Sequence, residues 1–268
     1  MATPEPYEVY AVRYGRHEKR TSEIFLGGDP HDAPIGLDYF VWAMVGADGT
    51  AIVVDTGFDA TVSARRGRLR LRCPSEGLAM IGVDHARVRD VVITHMHYDH
   101  CGNHHLFPDA TFHLHELEMA YATGRHMCHG TIAFAYEAED ACAMVRRLFS
   151  GRLRFREKGD ELAPGITLHH VGGHTMGMQA VRVWTRRGWV VLASDATHYY
   201  ANIEEGRPFP IVHNLGDVFE GYKTLRALAS SPNHIVPGHD PLVMQRYPTA
   251  KPGLEGIAVR LDVEPRAS

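Results

Sequence analysis

The sequence predicts an α+β fold of two αβ halves facing each other, and three observations carry that expectation. Short β-prone runs open the chain, helices follow, and short strands then end on polar residues. The same order recurs more loosely in the second half. No Pro/Gly/Ser-rich linker divides the chain, and no repeat of roughly 20–50 residues appears. Its 268 residues are therefore expected to form one domain, 1–268.

Residues 8–13 alternate weakly, and 39–45 and 50–54 flank the turn Gly46-Ala47-Asp48-Gly49, as in a β hairpin. The second run stops at Asp55-Thr56-Gly57. Helices are expected at 59–66 and 75–81, the latter opened by Ser75 with Glu76 in its first turn. Residues 88–93 form a continuous β-branched run, as a strand buried on both faces requires. Further on, strands are expected at 110–114, 152–155 and 166–171, and helices at 116–122 and 135–149. A hairpin follows at 180–184 and 189–193, then a helix at 218–230 and a short strand at 234–236. The tail after Tyr247 is polar, with Pro248, Pro252 and Pro265, and is expected on the surface.

A net charge of −4 and a pI near 6.5 give no electrostatic reason to expect nucleic acid or an anionic membrane as partner. The basic run Arg65-Arg66-Gly67-Arg68-Leu69-Arg70-Leu71-Arg72 is the local exception, and such a run reads as a solvated face. Met1-Ala2-Thr3-Pro4-Glu5-Pro6 has neither a basic nor an apolar leader region, and no apolar run approaches the roughly 18 residues of a membrane span. A cytoplasmic protein is expected. Cys73, Cys101, Cys128 and Cys142 form no CxxC pair, so free thiols are expected rather than a thiolate zinc site.

The 19 histidines are the first sign of metal chemistry, and spacing decides which matter. His95-x-His97-x-Asp99-His100 follows directly on the strand at 88–93. Alternate residues just past a strand point the same way, so His95 and His97 can serve one ion. The chain then turns, and Asp99 and His100 can reach a second position. Four donors within six residues exceed what one ion with an open position needs; two ions roughly 3.5–4 Å apart accommodate them. His174, Asp195 and His239 each follow a predicted strand beside a small residue or turn, and complete a dinuclear set.

This ordered set resembles the metallo-β-lactamase superfamily from Asp55-Thr56-Gly57 through His239. The resemblance implies a four-layer αββα sandwich. It also implies that His95, His97 and His174 hold one metal, that Asp99, His100 and His239 hold the other, and that Asp195 bridges them. Asp55 would be a strand-end residue supporting the metal loops, although a turn explains Asp-Thr-Gly equally well, so it is not counted as catalytic. Zinc suits these ligands; iron, manganese or cobalt would also.

Two close cations would lower the pKa of a shared water and hold hydroxide as nucleophile for acyl transfer. Asp99 could orient it and then carry its proton to the leaving group. Chain length, the His-Tyr-Asp-His-Cys-Gly-Asn run and Ser194-Asp195-Ala196 are similar to the N-acyl homoserine lactonases, which implies a quorum-quenching opening of a lactone ring. Those enzymes carry a substrate-contacting tyrosine three residues after the bridging aspartate. Here that position is His198, followed by Tyr199 and Tyr200. His198 could donate a similar hydrogen bond, or Tyr199 could swing in, and a more polar or bicyclic lactone is allowed.

The alternative is a thioester or ester hydrolase of the glyoxalase II type. It is disfavoured because only Arg246, Lys251 and Arg260 follow His239 to grip glutathione. A phosphodiesterase lacks a basic cluster near the ligands, and a non-catalytic metal-binding module would hold metal without hydrolysing activated esters. Candidate pocket walls are Phe25, Tyr39, Trp42, Phe58 and residues 199–210. Residues 119–129 or the N-terminal arm could serve a homodimer.

Overall fold

A computed structural model describes residues 4–266, so Met1–Thr3 of the N-terminal segment lie outside the described residues. The chain opens with two long antiparallel strands, β1 (Glu8–Arg20) and β2 (Pro34–Val45), and continues through β3 (Ala51–Val54), β4 (Leu69–Arg70), β5 (Asp90–Val92), β6 (Thr111–His115) and β7 (Leu153–Arg156). A second sheet follows: β8 (Asp160–Ala163), β9 (Ile166–His170), β10 (Gln179–Thr185), β11 (Gly188–Ser194) and β12 (Ile235–Pro237). The last strand, β13 (Ala258–Arg260), returns to pair with β1. The first sheet runs β13-β1-β2-β3-β5-β6-β7 with β4 beside β1, and the second runs β12-β11-β10-β9-β8.

Helices α1 (Ala60–Arg66), α2 (Pro74–Met80), α3 (Tyr98–Cys101), α4 (Glu116–Thr123), α5 (Gly130–Ala133) and α6 (Ala138–Phe149) belong to the first half. In the second half lie α7 (Tyr200–Glu205), α8 (Leu215–Leu228) and α9 (Leu242–Arg246).

Strand alternation creates the layers. Along β2, Phe40, Trp42 and Met44 point to one face and Tyr39, Val41 and Ala43 to the other. The first set meets Val181, Val183, Val190 and Leu192 of the second sheet in a dry inter-sheet core. The second set packs with Leu78, Met119 and Met144 from the helices of the first half. On the outer face of the second sheet, Ala180, Val191 and Ala193 meet Val218, Tyr222 and Leu225 of α8. Three cores separate four layers, helix–sheet–sheet–helix. The four-layer αββα sandwich is therefore the observed fold.

Two expectations hold only in part. The tail is surface only around residues 251–256 and at its end: Ala258, Val259 and Leu261 are buried, because β13 covers the edge of β1. The arginine run is a solvated face only in part, with Arg65, Leu69 and Leu71 exposed and the other arginines half-buried. Arg66 pairs with Glu137 at 2.7 Å, Arg72 donates to the Arg13 carbonyl, and Arg68 is half-buried. The four cysteines are free, and among the described residues no helix is long and apolar enough to cross a membrane.

Asp140, in the first turn of α6, is only 7% exposed. Burial pushes its carboxyl up to about 7, helped by Glu137, Asp59 and Glu139. His104 offers no relief. Its Nε2 lies 3.6 Å away, and burial drives that imidazole down to about 3, so it is neutral. The folded chain thus keeps a proton that a solvated aspartate, titrating at 3.8, releases. Stability from this group is complete below about pH 4 and is lost as pH rises through about 7. Asp140→Asn should accordingly stabilise the fold by about 2 kcal/mol at pH 8. In denaturant titrations the gain should shrink towards pH 4; a pH-independent effect would contradict this account.

Candidate metal centre

Four strands end at one rim of the sandwich, and each carries its next loop into the same space. The loop after β5 brings His95, His97, Asp99 and His100; the loop after β9 brings His174; β11 ends at Asp195 and β12 at His239. Parallel pairing of β11 with β12, and of β3 with β5, places these C-terminal ends side by side. Two local features make the approach possible. Asp55 and Ser194 are the non-glycine residues with left-handed backbone among those described, at φ 62° and 46°, and both turn the chain sharply at a strand end. Gly238 has no Cβ, and one there would come within 2.6 Å of Asp195 Oδ1.

The donors form overlapping groups. His95, His97, His174 and Asp195 make one, Asp99, His100 and His239 a second, and Asp195, His198 and His239 a third. Asp195 joins them by dividing its oxygens. Its Oδ2 faces His174 Nε2 at 3.3 Å and His95 Nε2 at 3.7 Å, while Oδ1 faces His239 Nε2 at 2.9 Å and His100 Nε2 at 3.3 Å. Asp99 Oδ2 lies 3.7 Å from both His100 Nε2 and His239 Nε2. His174 Nε2 and His97 Nδ1 aim at each other at 3.0 Å.

Three of the rings are held from behind. His100 Nδ1 donates to Asp55 Oδ2 at 2.7 Å, His174 Nδ1 to the Ile211 carbonyl at 2.8 Å, and His239 Nδ1 to the Asp38 carbonyl at 2.8 Å. A proton fixed on Nδ1 leaves the Nε2 lone pair pointing inward. Asp55 also accepts from Thr94 N and Thr94 Oγ1, both at 2.8 Å, so one buried carboxylate ties the turn after β3 to the histidine loop.

Electrostatics follow from this crowding. Burial, then neighbouring imidazoles, lowers His95 and His97 well below the ordinary value. His100 and His239 also pay a burial penalty, but Asp195 and Asp99 overcome it and raise both. Burial opposes ionisation of Asp195 too, yet His198, His239 and His100 hold its carboxyl well below the carboxylate range.

These residues fit a pair of cations. His95 Nε2, His100 Nε2 and Asp195 Oδ1 are buried without a hydrogen-bond partner. Unpaired buried polar atoms are costly, and inward lone pairs packed this closely repel one another unless a positive charge lies between them. Imidazole and carboxylate donors are also what borderline divalent metals take.

The seven residues expected as ligands therefore meet in one cluster. His198 joins them, with Nε2 at 3.0 Å from Asp195 Oδ2 and its ring stacked on Phe209 at 3.7 Å. Tyr199 does not turn inward: its hydroxyl donates to the Gly36 carbonyl at 3.0 Å, on the far side of its loop. A cavity of about 480 Å³ opens over the donors. Tyr39, Phe209 and Pro210 line it as expected. Trp42 lies between the sheets, Phe58 stands behind Tyr39 and Tyr98, and Phe25 lies under Arg207.

Sequence reasoning missed Glu118. This fully buried carboxylate accepts from Met96 N, Tyr136 Oη, Thr175 Oγ1 and Gly177 N, at 2.6–3.1 Å. It therefore ties the histidine loop to the His174 loop. Burial pushes its carboxyl up, and the four donors pull it back. A signal existed: Glu118 shares the buried side of α4 with Tyr121 and Ala122, where a carboxylate needs partners.

A model of the Metallo-beta-lactamase superfamily matches residues 35–239, and the chain belongs to that superfamily. Among curated relatives, N-acyl homoserine lactonase AiiB of Agrobacterium fabrum is 33% identical over 131 residues, 47% of either chain. An N-acyl homoserine lactonase of Bacillus sp is 26% identical over 133 residues, 49% of this chain and 48% of the relative. These matches thus span about half of each relative. A solved N-acyl homoserine lactone hydrolase, with N-hexanoyl-L-homoserine product at its catalytic metal centre, superimposes with a TM-score of 0.72 at 20% identity. The superposition covers 91% of this chain and 96% of that one. AidC, described as a dizinc quorum-quenching lactonase, gives 0.67 at 15% identity over 90% of both chains.

Replacing the carboxylate behind His100 with a neutral amide should loosen metal without unfolding the chain. Asp55→Asn is expected to weaken zinc binding about 10–100-fold, read by competition with a chromophoric chelator; unchanged affinity would separate Asp55 from the site. Glu118→Gln leaves one carbonyl oxygen where two carboxylate oxygens served four donors. A loss of about 3 kcal/mol in urea unfolding is expected, and a loss under about 1 kcal/mol would contradict the tie.

Proposed function

We propose that this protein is a dinuclear metal-dependent lactonase, opening an N-acyl homoserine lactone or a related lactone. The observation that carries the reading is Asp195, whose two oxygens face separate imidazole groups at the floor of a cavity. The lactonase names of the curated relatives support it. In this reading His95, His97 and His174 would hold one ion and Asp99, His100 and His239 the other, with Asp195 shared between the two groups. Zinc is the first choice. The ions, when bound, supply an activated water and polarise the lactone carbonyl.

The remaining roles belong to side chains. Water adds its oxygen to the acyl carbon and its proton to the ring oxygen as the C–O bond breaks, leaving a hydroxy acid. Asp99 lines the cavity beside His100 and His239 and is the group proposed to carry that proton. His198, locked between Phe209 and Asp195, is the proposed contact for the substrate oxygen. Tyr199 is less suited, because its hydroxyl is committed to Gly36. Leu37, Phe134, Phe209 and Ile211 offer an apolar wall that would shelter an acyl or ring carbon skeleton. We further propose one cytoplasmic domain of two αβ halves, and quorum quenching as the role if acyl homoserine lactones prove to be substrates.

Zinc-loaded protein should open lactones faster than it cleaves thioesters, in a panel of acyl homoserine lactones, simple lactones and an acyl thioester. Asp99→Asn should lower kcat by about 100-fold or more, and chelation should abolish turnover. Full metal loading with no lactone opened across the panel would overturn the substrate class.

A further inference from the structure

Arg68 belongs to the basic run, yet its guanidinium turns from solvent into the wall of the cavity. Its Nε donates to Tyr98 Oη and its Nη1 to His17 Nε2, both at 3.0 Å. Neither partner is anionic. Burial holds the Tyr98 phenol up at about 12, and burial followed by Arg68 itself lowers His17. Nη2 makes no hydrogen bond within the described residues, and the guanidinium makes no ion pair among them.

Elsewhere in the fold half-buried arginines donate to backbone carbonyls, as Arg72, Arg147 and Arg187 do, or pair with a carboxylate. Arg13 holds Asp38, Arg66 holds Glu137, and Arg260 holds Asp262. Lys19, also at the cavity mouth, is neutralised by Glu23 at 3.0 Å. Arg68 thus brings a positive charge to this wall with no carboxylate in ion-pair contact among the described residues, although Asp99 acts on it across the cavity.

The wall leads to the donor cluster without a break. Tyr98 Oη lies 3.1 Å from Tyr39 Oη, and the Tyr39 ring meets His239 edge-on at 5.4 Å. A molecule whose carbonyl sits at the donors would lay its other end along the two tyrosines towards Arg68. A half-desolvated guanidinium with an uncommitted N–H binds an oxyanion in a charge-assisted hydrogen bond.

We propose that Arg68 forms an anion subsite, so that the preferred substrate is a lactone bearing a carboxylate away from its reacting carbonyl. The proposal rests on the lactonase reading and narrows it, because a neutral acyl homoserine lactone would leave Arg68 unmatched. Arg68 is a specificity-determining residue here and takes no part in bond breaking.

The test uses a γ-lactone with a ring carboxylate and its neutral carboxamide. Wild-type zinc-loaded protein should favour the carboxylate by about tenfold or more in kcat/KM. Arg68→Gln should lower kcat/KM for the carboxylate about 10–50-fold, chiefly through KM, and change the carboxamide by no more than about twofold. Arg68→Lys should recover part of the preference. Equal losses on both substrates, or no preference in the wild type, would overturn the subsite and leave Arg68 as a support for Tyr98.

If neither lactone opens, the lactone panel above decides the lactonase reading, and binding decides the subsite. Titration calorimetry with cyclopentanone carboxylate and its carboxamide, which have no ring ester to hydrolyse, should favour the carboxylate in wild type and lose that preference in Arg68→Gln. An unchanged ratio would refute the proposal.

Discussion

One buried carboxylate organises this molecule. Asp195 is surrounded by His95, His100, His174, His198 and His239, and it divides its oxygens between two sets of them. Such a group cannot be solvated, so everything around it must supply charge and direction. Ser194 takes a left-handed backbone to aim it, Gly238 omits a side chain to let it in, and the ends of two parallel strands deliver it beside His239. The sandwich matters to function chiefly as the frame that brings these strand ends to one rim.

Two further carboxylates hold the frame in register at the site. Asp55 and Glu118 coordinate no proposed ion. They gather backbone N–H groups, hydroxyls and His100 into two hydrogen-bonded hubs. Both are fully buried, and each links loops from different elements. Buried polar hubs of this kind are costly when incomplete and rigid when complete, which suits a centre that must keep several donors at fixed spacing.

Much of the site is legible in the amino-acid sequence, because its information is local. Four donors stand in six residues after a β-branched run, and His174, Asp195 and His239 each close a strand beside a small residue. The layered fold follows from the same ordered set and its likeness to a known superfamily. What escapes a sequence reading depends on contacts distant along the chain. Asp55 reads equally as a support for the metal loops or as turn punctuation until Thr94 and His100 arrive from 39 and 45 residues away. Glu118 looks like an ordinary helix residue until Thr175 and Gly177 reach it. Arg68 sits in a run that resembles a solvated face, and only the path of the loop after α1 turns it inward. The final strand is hidden among prolines, because pairing with β1, not local propensity, makes it a strand.

The most direct test of the account is the number of ions the site holds. Elemental analysis of the native chain, loaded with zinc and freed of unbound metal, should give two ions per chain, since Asp195 presents an oxygen to each donor group. One ion or none per folded chain would contradict the dinuclear centre on which the mechanism rests.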